Sequence, residues 1–141
     1  MFPMKKKTIV VYLSALIILL SIVYRNDISI AYKSLLYKSE IDYAKRCIEF
    51  LAEGNEKELR PIFVDNARFF SRPEYFDQAS EFLKGVGVKD LRLRELLFGN
   101  EDSIEVMFLS FYSEDSGGIK NIYLKFVKQS NAWRLYSLVV G

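Results

Sequence analysis

The chain has 141 residues, half of them hydrophobic and 15% aromatic, with a formal net charge of +2. This composition is typical of a folded chain with room for one domain, and it excludes a disordered protein. Histidine is absent and Cys47 is the single cysteine, which excludes imidazole catalysis, thiolate zinc sites and an intramolecular disulfide.

The positive charge is concentrated at the N-terminal end. Residues 1–38 carry six Lys or Arg and one acidic residue, whereas residues 39–141 carry 14 Lys or Arg and 17 Asp or Glu. The second part therefore has three more negative than positive side chains. Because a nucleic-acid-binding domain usually presents a basic face, we predict that nucleic acid is not a partner.

Residues 8–24 form an uncharged apolar run that follows three lysines, at positions 5–7. At about 1.5 Å per residue this run spans roughly 25 Å, the short end of a bilayer crossing. We predict a basic cytoplasmic tail over residues 1–7 and a single transmembrane anchor over residues 8–24. The predicted anchor residues, four positions apart, are Thr8, Tyr12, Leu16, Leu20 and Tyr24.

A cleaved signal peptide is the alternative interpretation of this segment. Its cleavage site is poor, because the small residues Ser29 and Ala31 lie beyond Arg25 and Asp27 and far from the apolar run. We therefore favour an uncleaved anchor. The slight excess of basic residues before the run favours a cytoplasmic N-terminus, which predicts an extracytoplasmic domain on the inner (cytoplasmic) membrane.

The chain between the anchor and residue 39 is predicted to be a juxtamembrane helix or connector, residues 25–39. Apolar residues recur there at helical spacing, from Ile28 to Leu36. The sequence Ser39-Glu40-Ile41-Asp42 matches a capping box, which predicts that a globular domain over residues 40–141 begins with a helix at residue 40. That helix is predicted to end at Gly54.

Two further helices are predicted before the sheet. One is short and carries Leu59 to Phe63, with a restart at Pro61, and is followed by a turn at Asp65-Asn66. The other starts near Pro73 and stops at Gly85.

The apolar period then changes from 3.6 to 2, which predicts four strands. They lie at Val88 to Phe98, Ile104 to Phe111, Ile122 to Val127 and Trp133 to Val140. The turns between them are predicted at Asn100 to Asp102, Ser116 to Gly118 and Gln129 to Asn131. Helices followed by an antiparallel meander predict an α+β domain with helices packed on one face of a curved four-strand sheet.

Two segments of this layout resemble the nuclear-transport-factor-2-like (cystatin-like cone) superfamily. One is the helix from Ala44 to Gly54 with the short helix from Asn55 to Leu59, and the other is the strand, polar turn and Trp-basic-apolar sequence from Val127 to Leu135. The resemblance is to small membrane-anchored bacterial members. It implies a cone-like domain of a class that includes enzymes, ligand binders and assembly subunits, among them inner-membrane domains of secretion machines.

Carboxylates are the remaining candidates for acid-base chemistry. The acidic residues on or near the predicted helices and strands are Asp42, Glu49, Glu53, Asp65 and Glu105. None forms a pair by its spacing, and we interpret them as solvated. We therefore predict no catalytic, cofactor-binding or metal-binding residues.

The second predicted strand is apolar on both faces, which predicts a central strand. If the helices cover one face only, the other face is an exposed apolar patch of the kind that marks interfaces. We predict that this patch consists of residues that point away from Phe108 and two residues of the next strand, namely Met107, Leu109, Phe111, Tyr123 and Val127.

These features favour a non-catalytic, membrane-anchored domain that works through protein–protein contacts, as a subunit or accessory of a cell-envelope assembly or by self-association. One alternative is a cone that binds a small apolar ligand or acts as an acid-base isomerase or hydratase. A second alternative is an envelope protein of the immunity type, which neutralises a toxin.

Overall fold

The computed structural model describes residues 5–65, 67–115 and 117–141, in two units. The first unit ends at Leu36 and contains helix α1 (Lys6–Val23) and helix α2 (Arg25–Leu36). Residues 1–4 of the predicted tail, and Asn66 and Ser116 in two predicted turns, lie outside the described residues.

The second unit starts at Tyr37, slightly before the predicted boundary at residue 40. Tyr37 belongs to it because its ring packs on Phe98, with the ring centroids 4.7 Å apart. The helices of this unit are α3 (Lys38–Ala52), α4 (Glu56–Leu59) and α5 (Pro73–Phe82). Short 3-10 turns lie at Arg60–Ile62, Arg68–Phe70 and Val88–Asp90.

The predicted end of α3 is confirmed, and its predicted start is wrong. Gly54 adopts φ +70°, which favours glycine, and its N–H donates to the Leu51 carbonyl oxygen at 3.1 Å. At the other end α3 begins at Lys38, and the capping box does not form. The Ser39 hydroxyl instead donates to the Glu40 carboxylate at 2.9 Å, because Ser39 already lies within the first helical turn.

The predicted four-strand antiparallel meander is confirmed, in the order β1-β2-β3-β4. The strands are β1 (Arg92–Glu101), β2 (Ile104–Asp115), β3 (Gly118–Gln129) and β4 (Ala132–Val140). The first strand begins four residues later than predicted, because Val88–Asp90 forms a 3-10 turn. Two-residue turns with positive φ at both positions join β1 to β2 and β3 to β4, as tight hairpins require.

The helices pack on one face of the sheet, which we call the inner face. Across β2 and β3 the register places Met107 opposite Phe126 and Leu109 opposite Leu124. Buried helix residues complete this core, including Ala44, Cys47, Ile48, Leu51, Phe76 and Ala79. The segment after α4 joins the edge of β4, where the Val64 N–H donates to the Leu135 carbonyl oxygen at 2.9 Å.

Candidate functional site: an apolar helix and an uncovered sheet face

Among the described residues, α1 is the one helix long and apolar enough to cross a membrane. The predicted residues Thr8, Tyr12, Leu16 and Leu20 lie on it, and Tyr24 follows its last residue. All of its residues are exposed. By its length and composition α1 could cross a membrane, and an N-terminal signal sequence has the same properties.

Helix α2 continues the exposed apolar surface along one stripe. Ile28, Tyr32, Leu35 and Leu36 recur at helical spacing, and each is more than half exposed. The cations Arg25 and Lys33 lie at its two ends.

The opposite side of the sheet, which we call the outer face, carries apolar side chains that the helices of the second unit do not cover. The register aligns Leu97 with Phe108 on β1 and β2, and Tyr123 with Val139 on β3 and β4. These four side chains are 36–57% exposed. They line a shallow groove of about 280 Å³.

Lys125 crosses the centre of this outer face. Its ammonium lies 5.4 Å from the centre of the Phe108 ring and 4.8 Å from the centre of the Tyr136 ring. It also pairs with the Glu101 carboxylate at 2.6 Å. Because its charge is compensated and its stem covers the neighbouring rings, Lys125 makes the outer face less polar than its charge suggests.

The predicted interface residues do not lie on one face. Met107, Leu109 and Phe111 point to the inner face and are buried under the helices. Their assignment to an exposed patch is therefore wrong. Tyr123 does lie on the outer face and is exposed, whereas Val127 lies on the same face but is buried.

The outer-face residues that sequence reasoning missed are Leu97, Phe108 and Val139. The signal that identifies them is the charge on β3, because Lys125 must reach solvent and therefore marks its own face as the uncovered one. The pairing of Phe108 with Lys125 then places Phe108 on that face.

The interior between the helices and the sheet is filled by the protein's own side chains. Phe63, Phe111, Phe126 and Met107 are all essentially inaccessible to solvent. Among the described residues the buried polar side chains are those of Ser110 and Ser113. The acid-base alternative needs a buried carboxyl group, and its candidates are all exposed, namely Asp42, Glu49, Glu53, Asp65 and Glu105.

Cys47 is fully buried in α3 between the helices and the sheet. Burial in these apolar surroundings raises the pKa of the Cys47 thiol to about 12. Burial also raises the pKa of the nearby Tyr43 phenol, with a further contribution from Cys47 that Arg134 opposes. Cys47 therefore packs as a small buried hydrophobe.

We expect the Cys47 thiol to be unreactive in the folded protein. At pH 8 the aromatic disulfide reagent DTNB should modify it roughly 100-fold more slowly than in the urea-unfolded chain, since attack requires an exposed thiolate. An unfolded thiol ionises near pH 8.5. The folded state holds its proton up to about pH 12, so this group's contribution to stability is present below about pH 8.5 and is lost as pH rises toward 12.

Cys47 is the only cysteine, so all DTNB colour reports on this thiol. A Cys47→Val variant supplies the blank for the DTNB reaction. In parallel urea titrations, its free energy of unfolding should fall less than that of the wild type as the pH rises from 8 to 11. Rapid modification of the folded protein would contradict the buried position.

Within the described part of the chain, no group of three or more His, Cys, Asp or Glu side chains comes together as a metal site. The chain thus combines an N-terminal apolar helix with an α+β domain whose outer sheet face is uncovered. No family model, curated protein or solved structure matches it. The geometry of α1 and of the outer face therefore carries the functional conclusion.

Proposed function

We propose that this protein is a single-pass, membrane-anchored domain that acts without catalysis, through protein–protein contacts made by the outer face of its sheet. The observation that carries the proposal is the set of uncovered apolar side chains on that face, Leu97, Phe108, Tyr123 and Val139. An apolar patch that the described elements of its own domain leave uncovered is typical of an interaction surface. A subunit or accessory protein of a cell-envelope assembly fits this description.

The anchor supports the proposal because it would hold the domain at the membrane surface. Helix α1 has the length and composition of a membrane span, and Lys5, Lys6 and Lys7 can reach the headgroups at its N-terminal end. With the N-terminus in the cytoplasm, the domain faces the outside of the inner membrane. Copies and partners held in the same membrane meet at high effective concentration, so a modest patch is sufficient for association.

The size of the outer-face groove favours a protein partner over a small ligand on this face. Its volume of about 280 Å³ lies just below the range of about 300–1,000 Å³ that is usual for small-molecule sites. The Ser110 hydroxyl lines it, yet its oxygen is shielded from solvent and has no hydrogen-bond partner. A shallow surface that carries aromatic side chains and one compensated lysine has the composition expected at a protein interface.

The proposal also keeps the cone-like family as its structural context. Helices that precede a four-strand meander, with the helices on one face, agree with the layout that the resemblance implies.

The test places charge at the centre of the outer face of the full-length protein in its native membrane. The double variant Tyr123→Lys and Val139→Lys should weaken the complex at least tenfold, because two desolvated charges at an interface centre cost more than about 1.4 kcal/mol. The matched control is Tyr75→Lys, which changes a similarly exposed aromatic residue on α5, the helix side of the domain. Cross-linking in membranes, followed by native mass measurement in detergent, reports the complex.

Retention of the complex in the control and its loss in the double variant supports the proposal. A wild-type chain that is monomeric in its native membrane overturns it, as does a complex that the double variant and the control disturb equally. Fluorescence of Trp133, the only tryptophan, checks that each variant is folded.

A further inference from the structure

A second concave surface lies at the edge of β4, away from the outer-face groove. The cleft has a volume of about 700 Å³ and lies between Arg134 and residues of the ranges 60–65 and 67–71. It shares no lining residue with the outer-face groove. Its volume lies well inside the usual range for small-molecule sites.

Arg134 is the cation of this cleft that has no compensating anion. Its Nη2 donates to the Phe63 carbonyl oxygen at 2.5 Å, and its Nε is buried without a hydrogen-bond partner. No described carboxylate lies within ion-pair distance of it. A half-buried guanidinium with a spare donor is an unusual arrangement, because buried donors are almost always satisfied.

The second arginine of the cleft is already compensated. Arg60 pairs with Glu56 one helical turn away, and its Cζ lies 4.4 Å from the centre of the Phe70 ring. Asp65 is exposed and also lines the cleft. With Glu56 counted, two arginines and two carboxylates balance, and Arg134 is the arginine that has no ion pair. A single unpaired guanidinium in a cleft without net charge suits a monoanion better than a dianion such as phosphate.

The rest of the lining is apolar and aromatic. Phe70 lies in a cluster in which its ring centroid is 4.9 Å from that of Phe63 and 5.2 Å from that of Phe69, and this cluster gives the cleft a rigid wall. Pro61, Val64 and Ala67 add further apolar surface. A ligand that fits both parts has one carboxylate and an apolar body.

We propose that this cleft binds a small amphipathic monocarboxylate, with the carboxylate on the Arg134 guanidinium and the apolar body against Phe70. Because Nε is shielded from solvent, two-point contact requires the Arg134 side chain to turn its Nε–Nη edge toward the cleft. The site is independent of the outer face, so the two proposals succeed or fail separately.

The test uses benzoate as the probe and the full-length ¹⁵N-labelled protein in detergent. Benzoate should shift the Arg134 Nε–H resonance and the amide resonances of Phe63 and Phe70 saturably, with a Kd on the order of 1 mM. Benzamide, which has the same shape without the charge, should bind at least tenfold more weakly. Inorganic phosphate should bind more weakly than benzoate.

Two variants and one control complete the experiment. Arg134→Gln should weaken benzoate binding at least tenfold, and Phe70→Ala, which keeps the guanidinium, should weaken it several-fold. Arg72→Gln removes an exposed arginine that does not line the cleft and should leave the Kd unchanged. If Arg134→Gln does not fold, the Phe70→Ala and benzamide results decide the proposal.

The absence of saturable benzoate binding overturns the proposal. Equal affinity for benzoate and benzamide overturns it as well, as does tighter binding of phosphate or an equal loss of affinity in Arg72→Gln.

Discussion

Replacement of Phe111 by alanine is expected to lower the free energy of unfolding of the domain by about 3–5 kcal/mol, whereas replacement of Phe108 should cost about 1 kcal/mol or less. The two residues lie on the same strand, three positions apart, and point to opposite faces of the sheet. Phe111 is completely buried against the helices, and Phe108 is 36% exposed. The difference arises because only the first substitution leaves a cavity in the core.

Urea unfolding of the full-length protein in detergent, followed by Trp133 fluorescence, measures both values. Trp133 packs next to Phe98, with ring centroids 6.2 Å apart, so its emission reports the folded state. Phe108→Ala serves as the control, since it removes the same number of atoms from the same strand. A larger loss in Phe108→Ala than in Phe111→Ala would show that the helices cover the other face.

The double substitution Leu13→Arg and Leu16→Arg is expected to release the protein from the membrane. Both residues lie near the middle of α1, where an arginine costs about 2.5–3.5 kcal/mol of insertion free energy, so the pair costs roughly 5–7 kcal/mol. The protein should move from the carbonate-resistant membrane fraction to the soluble fraction. Leu13→Phe with Leu16→Phe is the matched control and should remain in the membrane fraction.

The same fractions distinguish the anchor from a cleaved signal peptide. The mass of the wild-type protein should include the apolar run over residues 8–24, because an uncleaved anchor keeps it. A shortened wild-type protein in the soluble fraction contradicts the anchor. Retention of the arginine double variant in the carbonate-resistant fraction also contradicts it.

The ends of helices were predicted well where the sequence signal acts within a few residues. Gly54 ends α3 as predicted, because a positive φ at that position is a property of the residue and its immediate neighbours. Asn55 likewise caps α4, its side chain accepting a hydrogen bond from the Glu58 N–H at 3.3 Å. The predicted capping box at Ser39 failed, since the helix starts upstream where Tyr37 packs on the sheet.

The face of the sheet that the helices cover was not predictable from β2 alone. Val106, Phe108 and Ser110 alternate with Met107, Leu109 and Phe111, and both sets are largely apolar. A shift of one residue exchanges the two faces of a strand, so the pattern of one strand leaves the choice open. The hairpin register settles it, because it places Leu109 opposite Leu124 and Phe108 opposite the charged Lys125.

The cleft at Arg134 had no signal in the sequence. It joins residues 60–65 and 67–71 to a strand residue more than sixty positions later, and the pairing of Phe63 and Val64 with Leu135 brings them together. Neither the missing acceptor of Arg134 Nε nor the Arg60–Glu56 ion pair follows from spacing along the chain.

The sequence by itself determined the apolar N-terminal helix, the order of helices and strands, and the exclusion of imidazole chemistry and of an intramolecular disulfide. Composition and short-range periodicity are sufficient for each. Tertiary structure alone decided which sheet face is the outer face and which arginine of the cleft has no carboxylate partner. Both depend on contacts between residues that are distant in the chain, and such contacts are set by strand register and packing.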